Sequence, residues 1–117
     1  MRGHRTVLLV ESDPSGRALA EAWRHRQGDR VHVARTRAQA LAASRRQRFD
    51  IAVVDLLLRG GGFELARQLS RRVGCLYLSV GARLAGEEIL ELALGFPVVR
   101  KAEVLKLGRS GPRGPSS

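Results

Sequence analysis

The side chains of this 117-residue chain that could do chemistry together are few: Glu11, Ser12 and Asp13 in a run, then Asp55, Ser79 and Lys101, each at the end of an apolar stretch. Carboxylate oxygens are hard donors that suit a cation such as Mg²⁺, while a lysine and a hydroxyl suit a phosphoryl group. Two carboxylates brought side by side repel one another without a cation, so Glu11 and Asp55 imply one if the fold unites them. Lysine is scarce, with only Lys101 and Lys106 among 21 basic residues, which gives Lys101 weight. A strand-terminal serine such as Ser79 is commonplace by itself. His4, His25 and His32 lack metal-ligand spacing and read as solvated or packing side chains.

Whether these groups meet depends on the elements that carry them. Short β-branched runs at Val7–Val10, Val31–Ala34, Ile51–Val54, Leu76–Val80 and Pro97–Val99 predict five strands. Between them, apolar residues recur at helical spacing: Ala18, Leu19, Ala22 and Trp23; Ala38, Leu41 and Ala42; Phe63, Ala66 and Leu69; Ile89, Leu92 and Ala93. Asp13-Pro14 predicts an N-cap followed by proline at the first helical position, and Thr36 with Gln39 a capping box. Gly28, Gly74 and Gly95 fall where the first, third and fourth helices should stop. Alternating strands and helices imply right-handed crossovers and a doubly wound α/β fold, a five-stranded parallel sheet covered on both faces. In the flavodoxin-like order 2-1-3-4-5, a ligand binds beyond the carboxyl ends of strands one and three, where Glu11 and Asp55 fall.

The bulk properties set the frame. The length suits one domain, taken as residues 1–107, with a short last helix within Ala102–Leu107 and a disordered tail over 108–117. No segment is long and apolar enough for a signal peptide or a membrane span, and the single Cys75, which cannot form an internal disulfide, reads as a small buried residue. A cytoplasmic location is expected. The net charge of +10 is carried by arginines scattered along the chain, which read as a solvated surface. Arg45, Arg46, Arg67, Arg71 and Arg72 would share one sheet face, but without a nucleic-acid recognition motif they fit an acidic protein surface better than DNA.

Four segments in this order resemble the bacterial response-regulator receiver family: Val7-Leu-Leu-Val-Glu11-Ser12-Asp13-Pro14, Phe49-Asp50-Ile-Ala-Val-Val-Asp55-Leu-Leu-Leu, Leu78-Ser79 and Gly95-Phe-Pro-Val-Val-Arg-Lys101. The resemblance implies a two-component phosphorelay module, a phosphoprotein rather than an enzyme, with Asp55 accepting the phosphoryl group as an acyl phosphate. It implies that Ser79 and Lys101 contact that group, and that Glu11, Asp55 and the Leu57 carbonyl hold Mg²⁺. Asp13 is a further ligand candidate, in competition with its helix-capping role. The implied partners are a sensor histidine kinase or a phosphotransfer protein, with output through protein contact.

The resemblance has gaps. Ser12 stands where the family places a second acid, so weak Mg²⁺ binding is expected. Arg59 and Ala102 replace usual prolines, Val98 replaces a switch aromatic, the stretch from Asp55 to Ser79 is compressed, and Gly60-Gly61-Gly62 is expected to make the loop after Asp55 mobile. These departures keep open an alternative, a pseudo-receiver that binds partners without being phosphorylated. The short last helix predicts a thinly covered sheet face, and that face, or the edge of the fourth helix and fifth strand beside it, is expected to associate with another chain, as in a homodimer; sedimentation of a monomer at high concentration would count against it.

Overall fold

The structure, a computed structural model, describes residues 4–81, 91 and 93–110, with side chains through 107. Five strands, β1 (Thr6–Val10), β2 (Arg30–Ala34), β3 (Phe49–Asp55), β4 (Val73–Val80) and β5 (Val98–Arg100), form a parallel sheet in the order β2-β1-β3-β4-β5. This is the expected flavodoxin-like order. Helices α1 (Ser15–Gln27), α2 (Arg37–Arg46) and α3 (Gly62–Leu69) connect the first four strands, and a 3₁₀ turn (Lys101–Glu103) leads into a C-terminal helix at Leu105–Ser110. Of the fourth expected helix, Glu91, Ala93 and Leu94 are helical, whereas Ile89 and Leu92 lie outside the described residues. The last helix starts later and runs further than expected, so residues 108–110 of the expected disordered tail are helical, while 111–117 lie outside the described residues.

Side chains on a strand alternate between faces, and here each face has its own core. Val7, Leu9, Ile51, Val53 and Tyr77 pack with Ala20 and Trp23 of α1 and with Val104 and Leu107 near the C-terminus. Leu8, Val10, Ala52, Val54, Leu76 and Leu78 pack on the other face with Ala40 and Ala43 of α2 and Leu65, Ala66 and Leu69 of α3. Ile51–Val54 is buried throughout, as a central strand covered on both sides must be.

Local signals fared unevenly. Gly28 and Gly95 stop their helices in the left-handed region, at φ 75° and 81°, and their N–H groups bond the carbonyls of Arg24 and Glu91. Gly74 does not stop α3, which ends at Leu69; it lies inside β4, which starts at Val73, three residues before the expected start of that strand. Its missing Cβ has another use, because one built there would come within 2.8 Å of the Asp50 carbonyl oxygen on β3. Pro97 falls outside β5, although its carbonyl accepts from the Leu78 N–H. Cys75 is only partly buried. Pro14 already has helical angles, and the Asp13 carboxylate accepts from the Ser15 N–H at 2.9 Å, so Asp13 caps α1 as expected although the regular helix starts a residue later. Thr36 Oγ1 accepts from the Gln39 N–H at 3.1 Å, but Gln39 reaches back to the N–H of Arg35 rather than Thr36.

A polar clamp joins α1 to the start of the sheet. The buried Asp29 carboxylate accepts from Trp23 Nε1 at 2.8 Å, Arg5 Nη2 at 3.0 Å and the Arg5 N–H at 3.3 Å. Burial alone would raise the Asp29 pKa, but the bonds from Trp23 and Arg5 and the Arg5 charge outweigh it and hold the carboxyl below its usual 3.8. The folded state therefore favours the ionised form, and its stabilisation is present above pH 3.8 and lost as pH falls through the lowered folded value. Asp29→Asn is expected to cost about 1 to 3 kcal/mol at pH 7 in urea unfolding. The difference from the unsubstituted protein should shrink in acid, and a pH-independent difference would contradict the clamp.

Candidate functional site

Strand alternation selects the face on which the chemical groups gather. Glu11 lies one two-residue step beyond Val7 and Leu9, Asp55 beyond Ile51 and Val53, Ser79 beyond Cys75 and Tyr77, and Lys101 beyond Val99. All these apolar residues belong to the face packed by α1. Register places the steps at one level, since Val10 pairs with Val54 and Asp55 pairs with Ser79, which also pairs with Val99. The site therefore lies at the carboxyl ends of β1, β3 and β4, at the point where strand order reverses.

Lys101 brings the acids together. Its Nζ donates to Glu11 Oε2 at 2.9 Å and to Asp55 Oδ2 at 3.3 Å. The Leu57 N–H donates to Asp55 Oδ1 at 3.0 Å, which fixes the carboxylate from the loop side. The Leu58 N–H bonds the Asp55 carbonyl, and the Leu56 N–H bonds the Ser79 carbonyl. Glu11, Asp55 and Ser79 are all buried, at 2%, 6% and 2% exposure. The structure thus unites Glu11, Asp55 and Lys101 directly and sets Ser79 beside Asp55 by register.

Two glycines permit this crowding. Gly16 in the first turn of α1 passes so close to Glu11 that a Cβ would lie 2.8 Å from the glutamate Cβ and Cγ. Gly62 opens α3 against the carbonyls of Asp55 and Leu56, where a Cβ would collide with both. Gly60 and Gly61 take positive φ of 94° and 101°. For Gly62 the need is close backbone approach rather than the mobility expected of the loop.

Burial, the largest influence on Glu11, raises its pKa; the Lys101 bond and charge lower it, the nearby Asp55 raises it again, and the balance lies above the usual 4.5. Burial would lower the Lys101 pKa, but the bond and charge of Glu11, aided by Asp55, outweigh this and hold the ammonium above its usual 10.5. The Lys101 contribution to stability is therefore present below pH 10.5 and lost as pH rises through the folded value. For Glu11 the raised pKa means that ionising it costs stability as pH rises through that value.

The other sequence candidates are not joined to this cluster by hydrogen bonds among the described residues, although Asp13 borders the same cavity as Glu11. Ser12 and Asp13 are exposed, and the Asp13 carboxylate is engaged at the start of α1; its pKa is lowered chiefly by the Ser15 N–H. Among the described residues no group of three or more His, Cys, Asp or Glu side chains is close enough to hold a metal. Glu11 and Asp55 nonetheless offer hard carboxylate oxygens of the kind that hold Mg²⁺ while it keeps several waters, so the donor chemistry fits that ion with few protein ligands. Sequence reasoning missed Arg35, which continues the Val31, Val33 alternation beside β1 and donates from Nη2 to the Ser12 carbonyl at 3.3 Å. It borders a cavity of about 400 Å³ shared with Glu11, Asp13 and Arg17. The period-two pattern of β2 carried that signal.

No protein-family model matches the chain. It is 39% identical over 67 residues to the transcriptional regulatory protein AfsQ1 of Streptomyces coelicolor, a match covering 56% of this chain and 30% of that protein. It is 38% identical over 68 residues to the sensor histidine kinase AruS of Pseudomonas aeruginosa, covering 57% of this chain and 7% of that protein. The matches thus span less than a third of either relative. In fold it is similar to a response regulator receiver protein of Pseudomonas putida, with TM-score 0.72, 19% identity and coverage of 92% and 97% of the two chains. It is also similar to the receiver domain of a Pseudomonas aeruginosa sensor histidine kinase with magnesium coordinated in its active site cleft, with TM-score 0.70, 22% identity and coverage of 92% and 96%. A Burkholderia pseudomallei response regulator with a phosphorylated aspartic acid gives TM-score 0.74 at 18% identity, covering 92% of this chain and 67% of that one.

Lys101→Met leaves two buried carboxylates facing each other, and is expected to cost about 1 to 3 kcal/mol in urea unfolding at pH 7 and to push the Glu11 carboxyl further up in carbon NMR titration. Adding Glu11→Gln should recover most of that loss. A neutral Lys101→Met would contradict the bridging role.

Proposed function

On the premise that this chain is a receiver domain of the two-component type, by its fold and by the relatives it matches, we propose that Asp55 is its phosphoacceptor and that it signals through protein contact. The observation that carries this reading is the Lys101 ammonium bridging Glu11 and Asp55 at the carboxyl end of the central strand. A carboxylate nucleophile needs a fixed direction and nearby positive charge that can follow the electrons onto the phosphoryl oxygens. The Leu57 N–H supplies the first and Lys101 the second.

In the proposed step an Asp55 carboxylate oxygen attacks the phosphorus of a phosphohistidine or small acyl phosphate. The bond from phosphorus to the donor breaks, and the donor leaves with its electron pair. Lys101 and the Ser79 hydroxyl then hold phosphoryl oxygens, Lys101 giving up part of its bond to Asp55 as charge moves outward. Glu11, Asp55 and the Leu57 carbonyl would hold Mg²⁺, which when bound supplies positive charge to the same oxygens. With Ser12 in place of an acid and Asp13 committed to α1, this binding is weak. Its site calls for no other cofactor.

The phosphodonor is a sensor histidine kinase or a phosphotransfer protein. Leu57, 81% exposed beside Asp55, offers that partner an apolar contact. The signalling unit extends through the C-terminal helix at Leu105–Ser110, and a second copy pairs at the β5 edge rather than along the sheet face, which α1 and that helix cover. A cytoplasmic place follows from the signalling role; no described helix is long and apolar enough to cross a membrane. The exposure of Ser12 and its carbonyl bond to Arg35 favour one second reading, a pseudo-receiver that binds partners without phosphorylation.

With Mg²⁺ and a small acyl phosphate, the intact protein should gain the mass of one phosphoryl group and Asp55→Asn none; an unmodified intact protein would favour the pseudo-receiver, and a modified Asp55→Asn would displace the acceptor. Ser12→Asp should tighten Mg²⁺ binding by about an order of magnitude in calorimetry, through the added ligand charge. Unchanged affinity would show that the residue does not face the ion.

A further inference from the structure

The sheet face opposite the acidic site carries a second feature. Between α2, α3 and the segment before β5 lies a groove of about 730 Å³. Its floor is apolar: Leu41, Phe63 and Phe96 are half-buried, and the two phenylalanine rings meet edge to face with centroids 6.1 Å apart. Its rim is cationic. Arg45, Arg67 and Arg71 are exposed around it, and among the described residues the one carboxylate in the lining is Glu64.

These arginines are not consumed internally. Arg67 lies over the Phe63 ring, with Cζ 5.9 Å from its centroid, and the neighbouring Arg72 donates to Ser44 Oγ. Among the described residues none of Arg45, Arg67 and Arg71 is ion-paired with a carboxylate. An aromatic floor that remains partly wet, ringed by unpaired guanidinium groups, is the complement of a convex apolar side chain flanked by acids. Carboxylates are drawn to the rim by charge, while burial of the apolar side chain against Phe63 and Phe96 supplies the short-range selectivity.

We propose that the groove between α2 and α3 is a docking site for an acidic protein segment that inserts one large apolar side chain between flanking carboxylates. A duplex nucleic acid would satisfy the rim but leave the concave floor empty, since its phosphate surface carries no apolar knob. The groove lies across the sheet from Glu11, Asp55 and Lys101, so this docking does not depend on the phosphoacceptor role of Asp55.

The test is fluorescence anisotropy of the full chain with a labelled peptide of glutamates around one phenylalanine. Binding should weaken with added salt, and should fall by about tenfold or more when the peptide phenylalanine becomes alanine and when the protein carries Arg67→Glu with Arg71→Glu. Arg26→Glu with Arg30→Glu, exposed charges elsewhere, should leave binding within about twofold. Reversal removes the Arg67 contact with Phe63 and a favourable charge in the last turn of α3, so the thermal midpoint should fall only slightly and unfolding should stay cooperative, which separates lost docking from lost folding. Three results would overturn the proposal: no binding of the peptide, equal binding of the alanine peptide, or duplex DNA binding more tightly than the peptide in a way that the Arg67 and Arg71 reversals abolish.

Discussion

Two carboxylates buried at the end of a parallel sheet are unstable neighbours, and most of the local architecture answers that problem. Glu11 and Asp55 are drawn together because β1 and β3 are adjacent and in register, and neither side chain reaches bulk water freely. A single ammonium, from Lys101 just past β5, lies between them. Burial and the neighbouring Asp55 raise the Glu11 pKa in spite of the Lys101 bond and charge. Added positive charge between the two carboxylates would relieve the same repulsion.

The sheet supplies the precision. Successive strand residues face opposite ways, so the side chains that gather at the rim are those in phase with the core on the α1 face. The same rule places the helices: α1 and the C-terminal helix close the face of the acidic site, and α2 with α3 close the other. Helix α3 still touches Asp55 through its backbone, because Gly62 abuts the Asp55 carbonyl.

The strand order and the acid-lysine cluster were legible in the sequence because they follow from long-range rules: alternating apolar runs, crossover handedness and the carboxyl-end location of ligand sites. Asp55 and Lys101 stood out because each ends an apolar strand. What escaped was decided by tertiary contact. Gly74 looks like a helix stop until the Asp50 carbonyl is seen against it, and Gly62 looks like loop slack until its approach to Asp55 is seen. Arg35 was hidden among many arginines, and only its register beside β1 marks it. The bridging geometry of Lys101 was also invisible, since a lysine at a strand end has many directions open to it. Of the arginines grouped from the sequence, Arg45, Arg67, Arg71 and Arg72 border one groove while Arg46 lines another cavity beside His32, and the aromatic floor of the groove needs Phe96, distant in sequence, to meet Phe63.

The most direct test of the account is the amide NMR spectrum of the intact protein before and after addition of Mg²⁺ with fluoroberyllate, a mimic of a carboxylate-bound phosphoryl group. The account predicts shifts that begin at Glu11, the Asp55–Leu58 turn, Ser79 and Lys101, and that Asp55→Asn abolishes. Shifts confined elsewhere, or the same shifts in Asp55→Asn, would contradict the assignment of these residues to one phosphoryl-binding site.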